Sequence, residues 1–401
     1  MRIVCVGAGP AGLYFSILAK LSNRNHEVIV VERNPPGVTY GWGVVFWEDL
    51  LDDLYRSDPE SARAIERAAA GWDTQEIHLR GQQVAHVGRY AFSMGRERLL
   101  DILLDRAKSL GVNVQFQRKV EDLSEFSGSS LIVACDGANS RIRQLHGNPF
   151  HTHVEQGKAR YIWLGTDKVF NKFTFAFEET PAGWIWFHAY RFNDEASTCI
   201  VECPPETWEG LGFGQLGPDE TLRCLEGIFK RHLEGHSLMI QKRGDGTTQW
   251  LNFKRVTNAR WSHGNVVLMG DAAHTTHFSI GSGTKLAIQD AIGLARKLCA
   301  AASLPAALVE YEQERRTALT SLQSAARLSA RWFENVPRHV DQHAVDFAWA
   351  LLNRRGVPQR WRYLLHLASQ DAAVRDMLRW GHSARGWVRS RLRPRASAAP
   401  G

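Results

Sequence analysis

The order of apolar and polar positions predicts an α/β core at the start of the chain. Residues 3–6 form a short apolar run, residues 13–20 carry apolar side chains in a helical rhythm, and residues 28–31 form a second apolar run. Short continuous apolar runs are typical of buried strands, and a helix between two of them is typical of a βαβ unit. The pattern therefore predicts a Rossmann-like domain with parallel strands.

The middle of the chain has a different pattern. Its segments are rich in aromatic and β-branched side chains and are separated by Gly, Pro and Asn-Asp turns, at residues 161–164, 173–177, 184–190 and 197–201. Such segments predict an antiparallel sheet. Trp184, Trp186, His188 and Tyr190 share one parity along their strand, so we expect all four side chains to lie on one face.

The remainder of the chain is helical and rich in arginine from Pro305 onward. These patterns predict a division of the chain into several parts. We expect a nucleotide-binding domain at the start of the chain, a sheet domain over 156–244, helices over 301–384 and a flexible tail over 385–401.

A glycine-rich turn follows the first predicted strand. It reads Gly7-Ala8-Gly9-Pro10-Ala11-Gly12, and Glu32 stands 20 positions after its last glycine, at the end of the second strand. Gly7 permits a tight turn, Gly9 lets a pyrophosphate approach the backbone at the helix N-terminus, and Gly12 allows close helix packing. A carboxylate at this distance accepts hydrogen bonds from ribose hydroxyls, so the segment predicts a dinucleotide site.

Composition excludes several classes of protein. The formal charge is +7, which is too small a surplus to indicate nucleic acid and equally suits an anionic small molecule. The six cysteines are scattered without paired spacing, which argues against a zinc site or a disulfide framework. Scattered, unpaired cysteines are typical of a reducing compartment, so we expect a cytoplasmic protein. No apolar run approaches the length of a membrane span, so we expect no membrane partner.

Two later segments make the sequence resemble a known family. Residues 131–141 run from an apolar strand into Asp-Gly, and residues 266–274 run from another strand into Gly-Asp-Ala-Ala-His. Together with the N-terminal glycines they resemble the single-component FAD-dependent aromatic hydroxylases of the para-hydroxybenzoate hydroxylase type. The resemblance implies an α/β FAD-binding domain with an inserted antiparallel-sheet substrate domain and C-terminal helices. The FAD-binding domain would be discontinuous, over residues 1–155 and 245–300, with part of 72–92 on the substrate side. It also implies that NADH or NADPH reduces the FAD and that O₂ hydroxylates an aromatic ring through a flavin C4a-hydroperoxide.

The resemblance also implies which residues hold FAD. Asp271 would bind the ribityl chain, the helix start at Gly281, Gly283 and Thr284 would face the flavin, and Val120 would contact adenine through its backbone. Arg96 matches the family arginine that reaches the FAD phosphate and ribose, with Arg98 as the competing choice. The remaining implied contacts are Arg33 in the FAD site, Val44 in the flavin-contacting segment 40–46, and Asp136 with Arg141 in the Asp-Gly segment.

A narrower resemblance concerns the substrate. Segments 40–46, 173–191, 271–285 and 332–336 look like the branch that hydroxylates salicylyl-CoA and 2-aminobenzoyl-CoA, and more distantly like the tryptophan-derived hydroxylase of violacein biosynthesis. Because the 2-aminobenzoyl-CoA enzymes carry a further reductase domain, the salicylyl-CoA type fits better. His277-Phe278 and Thr284 depart from the general family, which has prolines and an asparagine there. The carrier of the aromatic group is left open between CoA, a carrier protein and a free acid.

The candidate catalytic residues are three. His277 lies near the expected flavin face, and His188 and Tyr190 lie on the pocket sheet; each could act as the base that deprotonates the substrate. His277 could instead anchor its loop, and His188 could satisfy a buried backbone carbonyl. The cations that could serve CoA phosphates are Lys254, Arg255, Arg260, Arg315 and Arg316.

Other functional classes compete with this interpretation. Trp184-Ile185-Trp186 resembles part of a flavin-dependent halogenase element, although Phe187-His188 follows where that element continues differently. A flavoprotein that reduces its substrate without consuming O₂ and a silent FAD-binding partner of another enzyme are the further alternatives.

Overall fold

The computed structural model describes residues 1–145, 147–241, 250–356, 360–378 and 380–381, with the side chains of 87–90 excepted. The expected tail, 385–401, and the expected domain boundary at 244/245 lie outside these residues. Among the described residues, none of the helices is both long enough and apolar enough to cross a bilayer.

The strands and helices follow in chain order. The strands are β1 Arg2–Val6, β2 Glu27–Val31, β3 Gly43–Trp47, β4 Ala70–Leu79, β5 Gln82–Gly95, β6 Asn113–Gln115, β7 Leu131–Ala134, β8 Thr152–Thr166, β9 Phe173–Thr180, β10 Gly183–Arg191, β11 Ser197–Cys203, β12 Leu238–Met239, β13 Leu251–Asn258, β14 Ser262–His263 and β15 Val266–Leu268. The helices are α1 Pro10–Ser22, α2 Glu48–Ser57, α3 Pro59–Ala68, α4 Arg96–Ser109, α5 Arg141–Leu145, α6 Pro205–Gly210, α7 Pro218–Ile228, α8 Lys230–Leu233, α9 Gly283–Ala300, α10 Leu304–Phe333, α11 Ala344–Asn353 and α12 Arg360–Ala368.

The first sheet confirms the predicted nucleotide-binding core. Its order is β14-β15-β7-β1-β2-β6, and every pair is parallel except β14 with β15. The strands β1, β2 and β7 are buried at almost every position, as expected for a parallel sheet covered on both faces. Helices α1 and α9 pack against each other and contribute to one apolar core with this sheet.

The second sheet confirms the predicted antiparallel strands. Its order is β12-β8-β11-β10-β9-β4-β5-β3, with β13 also paired to β8. The pairs are antiparallel except β4 with β9, which is parallel. Ile185, Phe187 and Ala189 pack on one face toward α7 and α8, whereas Trp184 and Trp186 pack on the other face with α10 and α11. The predicted alternation along β10 is therefore present.

The second sheet extends beyond the expected limits of the sheet domain. The boundary at 155/156 cuts through β8, and β13, which was expected in the nucleotide-binding part, pairs with β8 over most of its length. The physical reason is the length of β8, whose first half needs hydrogen-bond partners that β13 supplies. β3 also joins this sheet, since it pairs with β5, so residues well before 72 contribute to the substrate side.

Candidate active site

The turn between β1 and α1 has the geometry of a dinucleotide cradle. Gly7 has φ +112°, and a Cβ there or at Gly12 would overlap backbone atoms of Cys135 or Gly7. At Gly9, which caps α1, a Cβ would meet nothing within 4 Å. The outer two glycines are therefore required by close packing, while the middle one borders open space in front of a helix N-terminus. This arrangement fits a pyrophosphate.

Glu32 lies beside this turn, where the sequence predicted a ribose-binding carboxylate. Its two oxygens accept hydrogen bonds from the backbone N–H groups of Ala8 and Asn34, both at 2.9 Å. These bonds fix the carboxylate at the end of β2 and leave lone pairs on both oxygens. Arg33 is exposed, and Val120 is buried in the apolar core of the first sheet.

The N-terminal parts of α1 and α9 come together at Gly270. A Cβ on Gly270, which has φ +61°, would lie 3.2 Å from the Cβ of Ala11 in α1 and 3.6 Å from that of Ala287 in α9. The residue after it, Asp271, is exposed and makes no hydrogen bond or ion pair with the described part of the chain. The unpaired carboxylate thus lies where the first turns of α1 and α9 converge.

Arg96 and Arg98 are distinguished by their surroundings. Arg96 is partly buried, and its Nε donates a hydrogen bond of 3.0 Å to the hydroxyl of Thr39. Burial lowers the pKa of Arg96, and the nearby Asp271 carboxylate opposes that shift. Arg98 is exposed. The geometry therefore favours Arg96 as the cation that accompanies Asp271.

A buried network lies under the 3₁₀ turn Gly270–Ala272, which we call the Gly-Asp turn, and holds it in place. Asp290 on α9 is fully buried and accepts hydrogen bonds from Gly270 N–H at 3.1 Å, from His274 Nε2 at 2.8 Å and from Arg315 Nε at 2.8 Å. Burial acts to raise the pKa of Asp290, but His274 and Arg315 outweigh it and hold the pKa below its ordinary value. The sequence analysis missed Asp290, although a carboxylate on the apolar face of a predicted helix was a usable signal.

The other expected cofactor residues have the following places. Asp136 accepts hydrogen bonds from the N–H groups of Arg141 at 2.6 Å and Ile142 at 3.2 Å, so it caps the start of α5. Its other oxygen is buried without a partner in the described part of the chain, and burial raises its pKa. Gly281 has φ +60° and lies next to Val45, which brings β3 and its Val44 beside the start of α9 at Gly283 and Thr284.

An aromatic cluster lies on the second sheet, on the face that carries Trp186 and His188. We take it as the wall of the candidate substrate pocket and call it the aromatic pocket. Its strands contribute Tyr161, Phe173, Phe175, His188 and Tyr190, and the 3₁₀ turn Phe278–Ile280 covers it with Phe278. The ring of Phe278 lies 4.6 Å from that of Tyr161 and 5.8 Å from that of His188, measured between centroids. Aromatic side chains grouped in this way offer an apolar surface suited to a flat ring.

His277 forms the cap of this 3₁₀ turn. Its Nδ1 accepts a hydrogen bond of 3.3 Å from the backbone N–H of Ser279 and lies 2.7 Å from the Ser279 hydroxyl. A backbone N–H can only donate, so Nδ1 is unprotonated and the proton is on Nε2. Burial, with Arg354 nearby, lowers the pKa of His277 to about 3. The ring is therefore a neutral hydrogen-bond donor at Nε2 as well as an anchor of its loop.

His188 lies in the middle of the pocket face. Its Nδ1 is buried and has no hydrogen-bond partner in the described part of the chain, and no described carbonyl accepts from its ring. The predicted alternative, a satisfied core histidine, is therefore not what the structure has. Burial, followed by Arg354 and His277, lowers the pKa of His188 to about 3. A neutral imidazole with an unused nitrogen is suited to hydrogen bond with a bound ring substituent.

Tyr190 has a structural partner instead. Its hydroxyl donates a hydrogen bond of 3.0 Å to the carbonyl of Gly43, and burial raises its pKa. Gly43 N–H in turn donates to the hydroxyl of Thr198 at 2.8 Å. Because its proton is used to join β10 to β3, Tyr190 is poorly suited to the role of base that the sequence suggested.

Three polar residues of the pocket escaped the sequence analysis. Glu202 on β11 is buried, accepts a hydrogen bond of 3.2 Å from Trp186 Nε1, and has a pKa raised to about 8 by burial. Arg354 and Arg355 follow α11 and both donate to the carbonyl of Ser279. The alternation of side chains along β11 could have placed Glu202 on the face of the sheet that carries the pocket. Only the tertiary fold brings residues 354 and 355 to the pocket.

The cations considered for CoA phosphates are mostly paired. Arg315 is buried against Asp290, so it belongs to the network under the Gly-Asp turn and that expectation is wrong. Arg255 pairs with Glu155, Arg316 with Glu312, and Lys254 donates to Asn139 at 3.1 Å. Arg260 is exposed.

Comparison with known proteins identifies the family that this geometry indicates. The profile described as "FAD binding domain" matches residues 1–326. The chain belongs to the FAD binding domain family. It is 38% identical over 387 residues to salicyloyl-CoA 5-hydroxylase of a Streptomyces species, covering 94% of this chain and 73% of that protein. It is 35% identical to 3-hydroxy-4-methyl-anthranilyl-[aryl-carrier protein] 5-monooxygenase of Streptosporangium sibiricum, covering 94% of this chain and all of that protein.

Solved structures confirm the fold. The crystal structure of 2-methyl-3-hydroxypyridine-5-carboxylic acid oxygenase superposes with a TM-score of 0.69 at 20% identity, over 89% of this chain and 99% of that one. The cradle at Gly9, the carboxylate at Asp271 and the family membership agree on FAD as the cofactor. The protein is an FAD-dependent aromatic monooxygenase.

Proposed function

We propose that this protein hydroxylates an aromatic acyl group attached as a thioester to a carrier, and that the carrier is CoA. The observation that carries the proposal is the pair of relatives described above. Their names specify an aryl group joined to CoA in one case and to an aryl-carrier protein in the other, at 38% and 35% identity over 94% of this chain. The higher identity to the CoA enzyme favours CoA, and a carrier protein is the second candidate.

The cofactor side of the reaction depends on residues of the first sheet. FAD, when bound and reduced by NADH or NADPH, supplies the activation of O₂. We assign the pyrophosphate to the open space at Gly9, a ribose to Glu32, and the ribityl chain to Asp271 with Arg96 near it. The buried Asp290 acts on this side as a positioning residue, because it holds the Gly270 N–H and His274 on either side of Asp271.

The substrate side depends on the aromatic pocket. The ring centroids of Phe173, Phe175 and Phe278 each lie 5.8 Å from that of His188, and we assign this aromatic surface to hold the substrate ring and to keep water from it. We assign His277 Nε2–H and His188 as hydrogen-bonding groups for polar substituents of that ring. Since the pKa of each imidazole is lowered to about 3, their protonation does not change across the neutral range.

The experiment that tests this function uses the purified holoenzyme. NADH and NADPH oxidation and O₂ consumption are measured with salicyloyl-CoA, 2-aminobenzoyl-CoA, free salicylate and tryptophan, and products are examined by mass. We expect a CoA thioester to stimulate both rates and to gain one oxygen atom, while the free acid does neither. Stimulation by the free acid alone, or oxidation of NAD(P)H without any oxygenated product, would contradict the proposal.

A further inference from the structure

Two neighbouring arginines converge on the turn that covers the aromatic pocket. Arg354 donates from Nη2 to the carbonyl of Ser279 at 2.8 Å and from Nε to the hydroxyl of Ser329 at 2.8 Å. Arg355 donates from Nη2 to the same Ser279 carbonyl at 2.7 Å. Arg354 Nη1 also donates to the carbonyl of Leu351 at 2.5 Å. The Ser279 oxygen therefore accepts from two guanidinium groups, and both groups retain unused donors because each has five N–H bonds.

The charge of these two groups is not balanced by the described residues. Neither arginine has a carboxylate within 4.0 Å in the part of the chain that the structure describes, and Arg355 Nε is buried there without a partner. The acid that acts on Arg354 is Glu202, whose pKa burial raises to about 8, so it is largely neutral at pH 7. Burial lowers the pKa of both arginines, yet a guanidinium remains charged at neutral pH.

This positive charge borders the pocket. The guanidinium of Arg354 lies 5.8 Å from the ring centroid of Phe175 and 5.0 Å from that of Phe333. Ser279, which both arginines contact, directly follows Phe278, whose ring stacks on His188. The imidazoles of His188 and His277, whose pKa values are lowered to about 3, add no charge at pH 7, and Glu202 is largely protonated. Glu334 is the acid whose charge acts on Glu202, so the charge beside the arginines is positive but not the only charge in the region.

We propose that Arg354 and Arg355 form an anion subsite that binds the ionised ring oxygen of the substrate, so that the pocket selects phenols over anilines. The inference rests on the proposed function and names the substrate class of the same pocket. A phenol can bind as the phenolate by releasing its proton to bulk water, and the oxygen then accepts from the guanidinium groups. An aniline has no comparable anion, and its N–H groups cannot donate to the guanidinium groups, which have no acceptor.

The test compares two ligands that differ in this substituent, salicyloyl-CoA and 2-aminobenzoyl-CoA. Each is titrated into the holoenzyme, following the flavin spectrum for affinity and the phenolate absorption for the ionisation of bound salicyloyl-CoA. We expect bound salicyloyl-CoA to be ionised at a pH where the free ligand is neutral. The Arg355→Gln variant should weaken its binding about tenfold and raise the apparent pKa of the bound phenol by about one unit. Binding of 2-aminobenzoyl-CoA should stay within about threefold of the wild type.

Controls separate this role from a structural one. Arg355→Lys keeps a cation and should restore much of the phenolate signal, while Arg360→Gln removes an exposed arginine at the start of α12 and should change neither titration. The ionisation state of salicyloyl-CoA bound to the wild type does not depend on any variant being folded. Binding as the neutral phenol, or equal weakening of both ligands in Arg355→Gln, would overturn this inference alone. Failure of both thioesters to bind would overturn the proposed function and this inference with it.

Discussion

We expect Glu202 to make the free energy of unfolding depend on pH. The substitution Glu202→Gln should remove this dependence. Its side chain is 1% exposed on β11, and its carboxyl accepts a hydrogen bond from the indole of Trp186. Glu202→Gln keeps the size of the side chain and an oxygen that can accept this bond, but it removes the titratable group. The substitution therefore isolates the cost of ionising a buried acid.

The sign and size of the effect follow from the pKa. Burial raises the pKa of Glu202 from 4.5 to about 8 in the folded protein. The folded state therefore keeps a proton that the unfolded chain has lost, and the free energy of unfolding falls as the pH rises from about 4.5 to about 8. Between pH 5.5 and pH 8 this loss amounts to about 3 kcal/mol at 1.36 kcal/mol per pKa unit, as an order of magnitude. For a chain of this length that corresponds to a melting temperature lower by about 4 °C.

The assay is thermal unfolding of the FAD-bound protein followed by flavin fluorescence at several pH values. We expect the melting temperature of Glu202→Gln, relative to the wild type, to rise steadily between pH 5.5 and pH 8. Glu209→Gln, which changes an exposed carboxylate, serves as the matched control and should show no such trend. A difference in melting temperature between Glu202→Gln and the wild type that stays constant over this pH range would refute the reasoning. It would mean that Glu202 has the same pKa in the folded and in the unfolded chain.

Three further predictions concern the cofactor and the pocket. Gly12→Ala should abolish FAD retention, measured by the absorbance ratio of the purified protein, since its Cβ overlaps the Gly7 carbonyl; a yellow variant would contradict this. Asp290→Asn should lower stability by about 3 kcal/mol and weaken FAD binding in a fluorescence titration, because Arg315 loses its buried counter-charge, and unchanged affinity would contradict the role of the network. His277→Ala should keep FAD but release H₂O₂ in place of hydroxylated product, measured as the ratio of product to NAD(P)H consumed, and unchanged coupling would remove the assignment. Because the pKa of His277 is lowered to about 3, its titration should contribute nothing to the pH dependence of this ratio between pH 5 and 8.

The sequence was informative where local chemistry fixes the structure. The turn from Gly7 to Gly12 could be interpreted correctly because only glycine fits beside the carbonyl oxygens of Cys135 and Gly7. The strand alternation placed Trp184, Trp186, His188 and Tyr190 on one face because side chains alternate strictly along a strand. The family resemblance was confirmed by the match over residues 1–326.

What the sequence could not show depends on contacts between distant parts of the chain. The hydrogen bond from Tyr190 to Gly43 joins residues that are 147 positions apart in the sequence, and the one from Arg354 to Ser279 joins residues 75 positions apart. No periodicity reports such contacts, so Tyr190 was taken for a candidate base and Arg354 was not considered. Arg315 was misassigned for the same reason, since a basic residue on an Arg-rich helix gives no sign that a buried carboxylate on α9 faces it.

The long helix α10 touches both halves of the active site. Near its first third, Arg315 holds the carboxylate that supports the Gly-Asp turn, and near its end Ser329 binds Ser279 and Arg354 at the pocket. The two contacts are 14 residues apart, or about 21 Å along a helix axis. The Gly-Asp turn and the turn Phe278–Ile280 are therefore both held from one continuous helix, whose length sets the spacing between these two contacts.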